Sequence, residues 1–181
     1  MDGTALTFTK KKNIIIMERS KTSTLQLNLM QWGNNIPKYD LRIWKNDKPG
    51  KGVTLDQADL RAFLTLLDNN IQFYDEYTSK IPQNIGTADF PCQLFQKCGF
   101  IGSLEQWHIE LNVLGWKNNP CKFDLRNWSK DHKSGKGVSF SKEDAEKLAE
   151  TIKKELAVNT TTVEPKNTQE IEVLVDLLTG K

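Results

Sequence analysis

Twice in 181 residues the chain sets a tryptophan among basic side chains, as KYDLRIW from Lys38 to Trp44 and as KFDLRNW from Lys122 to Trp128. Another tryptophan precedes each stretch, Trp32 and Trp116, and a Gly-Lys-Gly-Val run follows each, carrying Lys51 and Lys136. In an extended strand successive side chains point to opposite faces. Trp32, Lys38, Arg42 and Trp44 therefore share one parity, and Tyr39, Leu41 and Ile43 take the other. The same division puts Trp116, Lys122, Arg126 and Trp128 opposite Phe123 and Leu125. Aromatic rings beside cations on the polar face of a sheet suit nucleic-acid binding, because every base offers a π-face and the cations meet the phosphates. The candidate binding set is Trp32, Lys38, Arg42, Trp44 and Lys51 in the first copy, and Trp116, Lys122, Arg126, Trp128 and Lys136 in the second. Parity alone fits equally a protein-interaction or structural module whose tryptophans anchor an interface, and stacking does not separate single-stranded DNA from RNA. Asp40 and Asp124, two positions from Arg42 and Arg126, are expected to orient those guanidinium groups.

The remaining chemistry-bearing residues suggest a binding protein rather than an enzyme. His108 and His132 stand in unrelated contexts, without an HExxH or DxD-type cluster, and no serine or threonine has a base in a recognisable motif. The Gly-Lys-Gly loop lacks the GxxxxGK[ST] pattern of a Walker A loop. Cys92, Cys98 and Cys121 fit neither a disulfide framework nor a CxxC metal site and read as small apolar residues. No catalytic residue, cofactor or metal is expected.

The positioning elements follow from the repeat. From Leu27 to Trp44 the chain aligns with Leu111 to Trp128 at an offset of 84, with ten of eighteen positions identical. One extra residue then enters before Gly135, as a surface loop tolerates. A period this long, seen twice, is a domain duplication rather than a solenoid. Leu25, Leu27 and Leu29 alternate with polar residues, and GNNIP turns the chain into Tyr39, Leu41 and Ile43, a hairpin with one apolar face. Ile109, Leu111 and Val113, then Phe123 and Leu125, repeat it. A preceding strand is read at Asn13 to Met17 and, with less pattern, around Gln96 to Ile101, and short runs at Val53 to Leu55 and Val138 to Phe140 add a fourth. A helix follows each, with Asp56/Asp59 and Ser141/Asp144 as capping boxes. Its apolar stripe is Leu60, Phe63, Leu64 and Leu67, or Ala145, Leu148, Ala149, Ile152 and Leu156.

The expected fold is α+β: two tandem β-β-β-β-α units, each a curved four-stranded antiparallel sheet with one helix, pairing within the chain as a pseudo-dimer. The units span residues 10–68 and 93–156, with a linker at 69–92. Each is small enough that its own core is marginal, so pairing supplies burial. Residues 157–181 read as a polar linker and an acidic apolar tail. The tail is either docked on the body or a segment that recruits a replication or recombination partner or covers the basic face.

The strand from Tyr39 to Trp44, the loop from Pro49 to Leu55 and the helix after it resemble the transcriptional coactivator positive cofactor four family, above all its bacterial and phage branch. Phe123 to Trp128 and Gly135 to Val138 carry the same resemblance in the second copy. It implies a single-stranded-DNA-binding fold that dimerises through its helix, with stacking aromatics at Trp32, Trp44, Trp116 and Trp128 and a loop cation at Lys51 or Lys136. Family members carry one such domain per chain, and this chain carries two.

Charge follows the same division. Residues 1–54 hold ten Lys/Arg against four Asp/Glu and residues 55–90 two against six, whereas 91–140 hold seven against four and 141–181 six against nine. The basic part of each copy is the part with the tryptophans, as expected where a surface meets a polyanion. With no apolar run near the roughly 20 residues of a bilayer span and no secretory leader pattern at the N-terminus, a cytoplasmic, nucleoid-associated protein of a bacterial or phage-infected cell is expected. The function expected is sequence-nonspecific single-stranded-DNA binding in transcription regulation, replication or recombination.

Overall fold

The computed structural model describes residues 7–88, 91–117 and 119–161. Four strands, β1 (Phe8–Ser20), β2 (Ser23–Trp32), β3 (Lys38–Lys45) and β4 (Lys48–Leu55), form an antiparallel meander, and α1 (Gln57–Asn70) follows it. A 3₁₀ turn (Ile71–Phe73), α2 (Tyr74–Thr78) and the two-residue β5 (Gln83–Asn84) lead to β6 (Cys92–Ile101), β7 (His108–Trp116), β8 (Lys122–Trp128) and β9 (Ser134–Phe140). Strands β5 to β9 make a second antiparallel sheet in sequence order, and α3 (Lys142–Thr161) ends the described chain. Among the described residues no helix is long and apolar enough to cross a membrane.

Two expectations are corrected. The second sheet has five strands, not four, because Gln83 and Asn84 pair with Leu94 and Gln93. The stretch read as a linker is therefore partly folded: two residues are too short to show an alternation, and the pairing is set by the neighbouring edge. Helix α3 also runs past residue 156, to Thr161. The tail from 165 to 181 lies outside the described residues.

The repeat extends through β1 and β6, where the side chains differ most. Phe8 pairs with Trp32 and Cys92 with Trp116, and Lys10 pairs with Met30 as Leu94 does with Leu114. Irregularities between Lys10 and Lys12 and between Asn13 and Ile15 return between Leu94 and Gln96 and between Lys97 and Gly99. A bulge leaves a residue out of the ladder and bends the strand. Both sheets thus bend at the same two places.

One apolar core takes the inward residues of both sheets and both long helices. Leu25, Leu27, Leu41 and Val53 meet Phe63 and Leu67 there, together with Leu111, Leu125, Phe140, Leu148 and Ile152. Helix α1 lies against α3 and also against β6, while α3 reaches β1, and β4 lies beside β9. The Phe63 ring meets Phe140 edge-on at 6.2 Å, so a helix of the first half packs on a strand of the second. At Gly99, where φ is +147°, a Cβ would stand 2.4 Å from Leu66 Cδ2. Glycine is what lets α1 approach β6 so closely. Both capping boxes form: Asp59 N–H donates to Asp56 and Asp144 N–H to Ser141, with the reciprocal bonds in place.

Polar contacts cross between the halves as well. Lys12 Nζ lies 2.6 Å from Glu155, Arg19 donates to the Ser139 carbonyl at 2.7 Å, and Tyr74 Oη donates to the Cys121 carbonyl at 2.7 Å. Burial pushes the Tyr74 hydroxyl up to about 12, with the adjacent Cys121 adding to it. It stays a donor at neutral pH. The three cysteines are free thiols, and burial pushes Cys92 up to about 11 and Cys98 up to about 12. Neither has the lowered value that makes a thiolate nucleophile.

Candidate nucleic-acid interface

On the sheet faces turned away from the helices, one arrangement is built twice. Asp40, fully buried, accepts from Arg42 Nε, from Arg42 Nη2 at 2.7 Å, from Thr54 Oγ1 at 3.0 Å and from Trp32 Nε1 at 3.2 Å. Asp124, also fully buried, accepts from Arg126 Nε at 2.8 Å and Nη2 at 2.9 Å, from Ser139 Oγ at 2.6 Å and from Trp116 Nε1 at 3.1 Å. Arg42 also donates to the Gly50 carbonyl at 2.8 Å, and Arg126 to that of Gly135 at 3.0 Å. Each guanidinium lies 4.6 Å from its tryptophan ring, Arg42 over Trp32 and Arg126 over Trp116. Carboxylate, guanidinium and indole are locked together by charge-assisted bonds and a cation–π contact.

The Gly-Lys-Gly runs make this possible by close approach. A Cβ on Gly52 would stand 2.1 Å from Arg42 Cβ, and one on Gly137 2.6 Å from Arg126 Cβ. Glycine lets β4 and β9 press against the arginine stems, which brings the arginines within reach of the loop carbonyls. The intervening Lys51 and Lys136 are exposed, as are Lys38 and Lys122 at the start of β3 and β8.

The tryptophans divide differently from the expectation. Trp32 and Trp116 are half-buried, each with a guanidinium on one face. Trp44 and Trp128, expected to be presented, are covered, at 3% and 7% exposure. The parity is right, since Trp128 packs with Cys92, Leu94 and Leu114 in a small cluster separate from the main core. What parity does not show is the start of the first strand, which folds across the ring. Phe8 lies 5.7 Å from Trp44, and Lys10 Nζ stands 4.0 Å above it while donating to Gln26 at 2.9 Å. Arg42 and Arg126 are likewise engaged by carboxylates rather than free.

Two aromatics that the repeat does not mark are exposed beside the second sheet. Trp107, 60% exposed, lies in the loop before β7 and against Gly135, and Phe100 sits on β6 opposite Glu110. Trp107 is outside the repeat, which is why alignment of the copies missed it. Phe100 is on the parity of Gln26 and Glu110, a signal available once the first strands are aligned. The face of β7 itself is more acidic than that of β2: Glu110 stands where Gln26 does, and His108 Nε2 meets its carboxylate at 2.9 Å.

The arrangement sets two half-buried indoles, each with a guanidinium over its ring, beside exposed lysines, and Phe8 lies 5.3 Å from the Trp32 ring. No family model matches the chain. Over 48 residues, 25% of the chain, it is 42% identical to an uncharacterised protein of Treponema pallidum, and the match covers 56% of that protein. The chain thus spans about half the length of this curated relative.

Proposed function

We propose that the chain is a sequence-nonspecific single-stranded-DNA-binding protein built like a positive cofactor four dimer in one polypeptide. The observation that carries this reading is the Trp–Asp–Arg arrangement repeated on the two sheet faces turned away from the helices, each with exposed lysines beside it. The pseudo-dimer is supported by α1 lying against α3, by the Phe63–Phe140 contact and by a core that draws on both halves. In this reading Trp32 and Trp116 offer the stacking surface, Lys38, Lys51, Lys122 and Lys136 meet phosphates, and Arg42 and Arg126 brace the rings. Trp44 and Trp128 form the floor beneath. A protein of this kind acts in transcription regulation, replication or recombination in the cytoplasm, at the nucleoid.

The test is a fluorescence titration with oligo-dT of increasing length at two salt concentrations. Quenching that saturates at a defined length and weakens steeply with salt is the expected result. Equal affinity for duplex and single strands, or no quenching alongside concentration-dependent self-assembly, overturns the reading in favour of an interaction module.

A further inference from the structure

Of the two sheet faces turned away from the helices, the second contains a cleft of about 210 Å³, which lies over the sheet and under the segment that enters β6. Its walls include Gln83, Ile85, Lys97, Glu110, Asn112 and Trp128. The volume falls below the roughly 300 Å³ at which pockets for drug-sized ligands begin. It suits one ring system rather than a whole nucleotide.

Two polar atoms on residues of this cleft are buried and without a hydrogen-bond partner among the described residues: the acceptor Asn112 Oδ1 and the donor Trp128 Nε1. Asn112 is only 2% exposed. Its amide cannot turn to hide the oxygen, because Nδ2 donates to Glu110 Oε2 at 2.8 Å and a carboxylate accepts only. Glu110 is itself fixed by His108. A buried acceptor and a buried donor left unpaired forfeit the hydrogen bonds they had with water, so a group that satisfies both is favoured.

The same two atoms, Asn28 Oδ1 and Trp44 Nε1, are orphaned in the first half. There, however, Phe8 and Lys10 lie against the Trp44 ring. Cys92 and Leu94 hold the matching register positions in the second half, and the exchange of a phenyl ring for a thiol leaves room. Resting on the single-stranded-nucleic-acid reading above, we propose that the cleft under β5 takes one unstacked nucleobase. The base donates an N–H to Asn112 Oδ1 and accepts from Trp128 Nε1, and the first half has no equivalent site. Every base carries a donor beside an acceptor on its Watson–Crick edge, the edge proteins read on extruded bases.

The indole N–H resonances of the ¹⁵N-labelled full chain, assigned with single Trp→Phe variants, report the site directly. Deoxycytidine monophosphate is expected to shift the Trp128 resonance downfield and leave that of Trp44 in place, while deoxyribose 5-phosphate moves neither. Ile85→Trp, whose larger side chain fills the cleft from a half-exposed position on its wall, is expected to abolish the shift and to weaken oligo-dC binding about tenfold. Equal movement of both resonances, or a still Trp128 in a chain that binds oligonucleotides, overturns the pocket while leaving DNA binding intact. A Trp128 shift with the mononucleotide in a chain that binds no oligonucleotide upholds the pocket and removes the DNA reading instead.

Discussion

Removing the Asp40 carboxylate leaves the Arg42 guanidinium, itself mostly buried, without its main partner, and leaves Trp32 Nε1 and Thr54 without an acceptor. Asp40→Ala is expected to lower stability by about 3 kcal/mol, because the surviving charge and donors are stranded. Asp124→Ala should cost a similar amount, and urea unfolding measures both. The tryptophans separate on the same logic. Trp32→Ala and Trp116→Ala should weaken oligo-dT binding by about 1–3 kcal/mol each if they stack bases, whereas Trp44→Ala should chiefly cost stability, about 3–5 kcal/mol. Titration and unfolding together distinguish the two roles. His108 adds a pH dependence. Burial lowers its pKa, but the bond to the Gln106 carbonyl and the bond and charge of Glu110 outweigh that, and nearby Lys97, and the net shift is upward. A raised folded value means the stabilisation is complete below the ordinary value near 6.5 and is lost as pH rises through the folded one. Thermal melts should show stability falling from about pH 6.5 upward, and His108→Gln should remove that component.

At the scale of elements, the duplication was plain in the second and third strands and invisible in the first. Strands β2 and β3 repeat because their outward residues form the Trp–Asp–Arg arrangement and their inward residues fill one core, so both faces constrain side-chain type. The first strands share only register and bulges, which the backbone carries and side-chain identity does not. That is why Phe8 over Trp44, and with it the burial of the expected stacking ring, could not be read from alternation. The helices were legible from their caps, and each cap is expected to contribute about 1 kcal/mol, seen as the cost of Asp56→Ala or Ser141→Ala in thermal denaturation. Gly99 gives no signal in the sequence because the reason for it is a helix from the other half. With positive φ and Leu66 at its Cα, Gly99→Ala should destabilise by about 2 kcal/mol, while alanine at Ile15, its register counterpart, costs only lost packing.

At the scale of the whole molecule, the two halves share a core, so they are expected to unfold together. Phe63→Ala should remove about 4 kcal/mol and leave a single transition by fluorescence and circular dichroism alike. Expressed apart, residues 7–88 and 91–161 should each expose the apolar side of their long helix and self-associate, which light scattering checks. The differing first strands carry a consequence for symmetry. In a homodimer every substitution arrives twice, so a ring that closes one face closes both. Joined in one chain, the halves are free of that rule. Phe8 can lie against both tryptophans of one face while Cys92 at the matching position leaves a cleft on the other, and a strand lying across both meets a different surface according to which end arrives first.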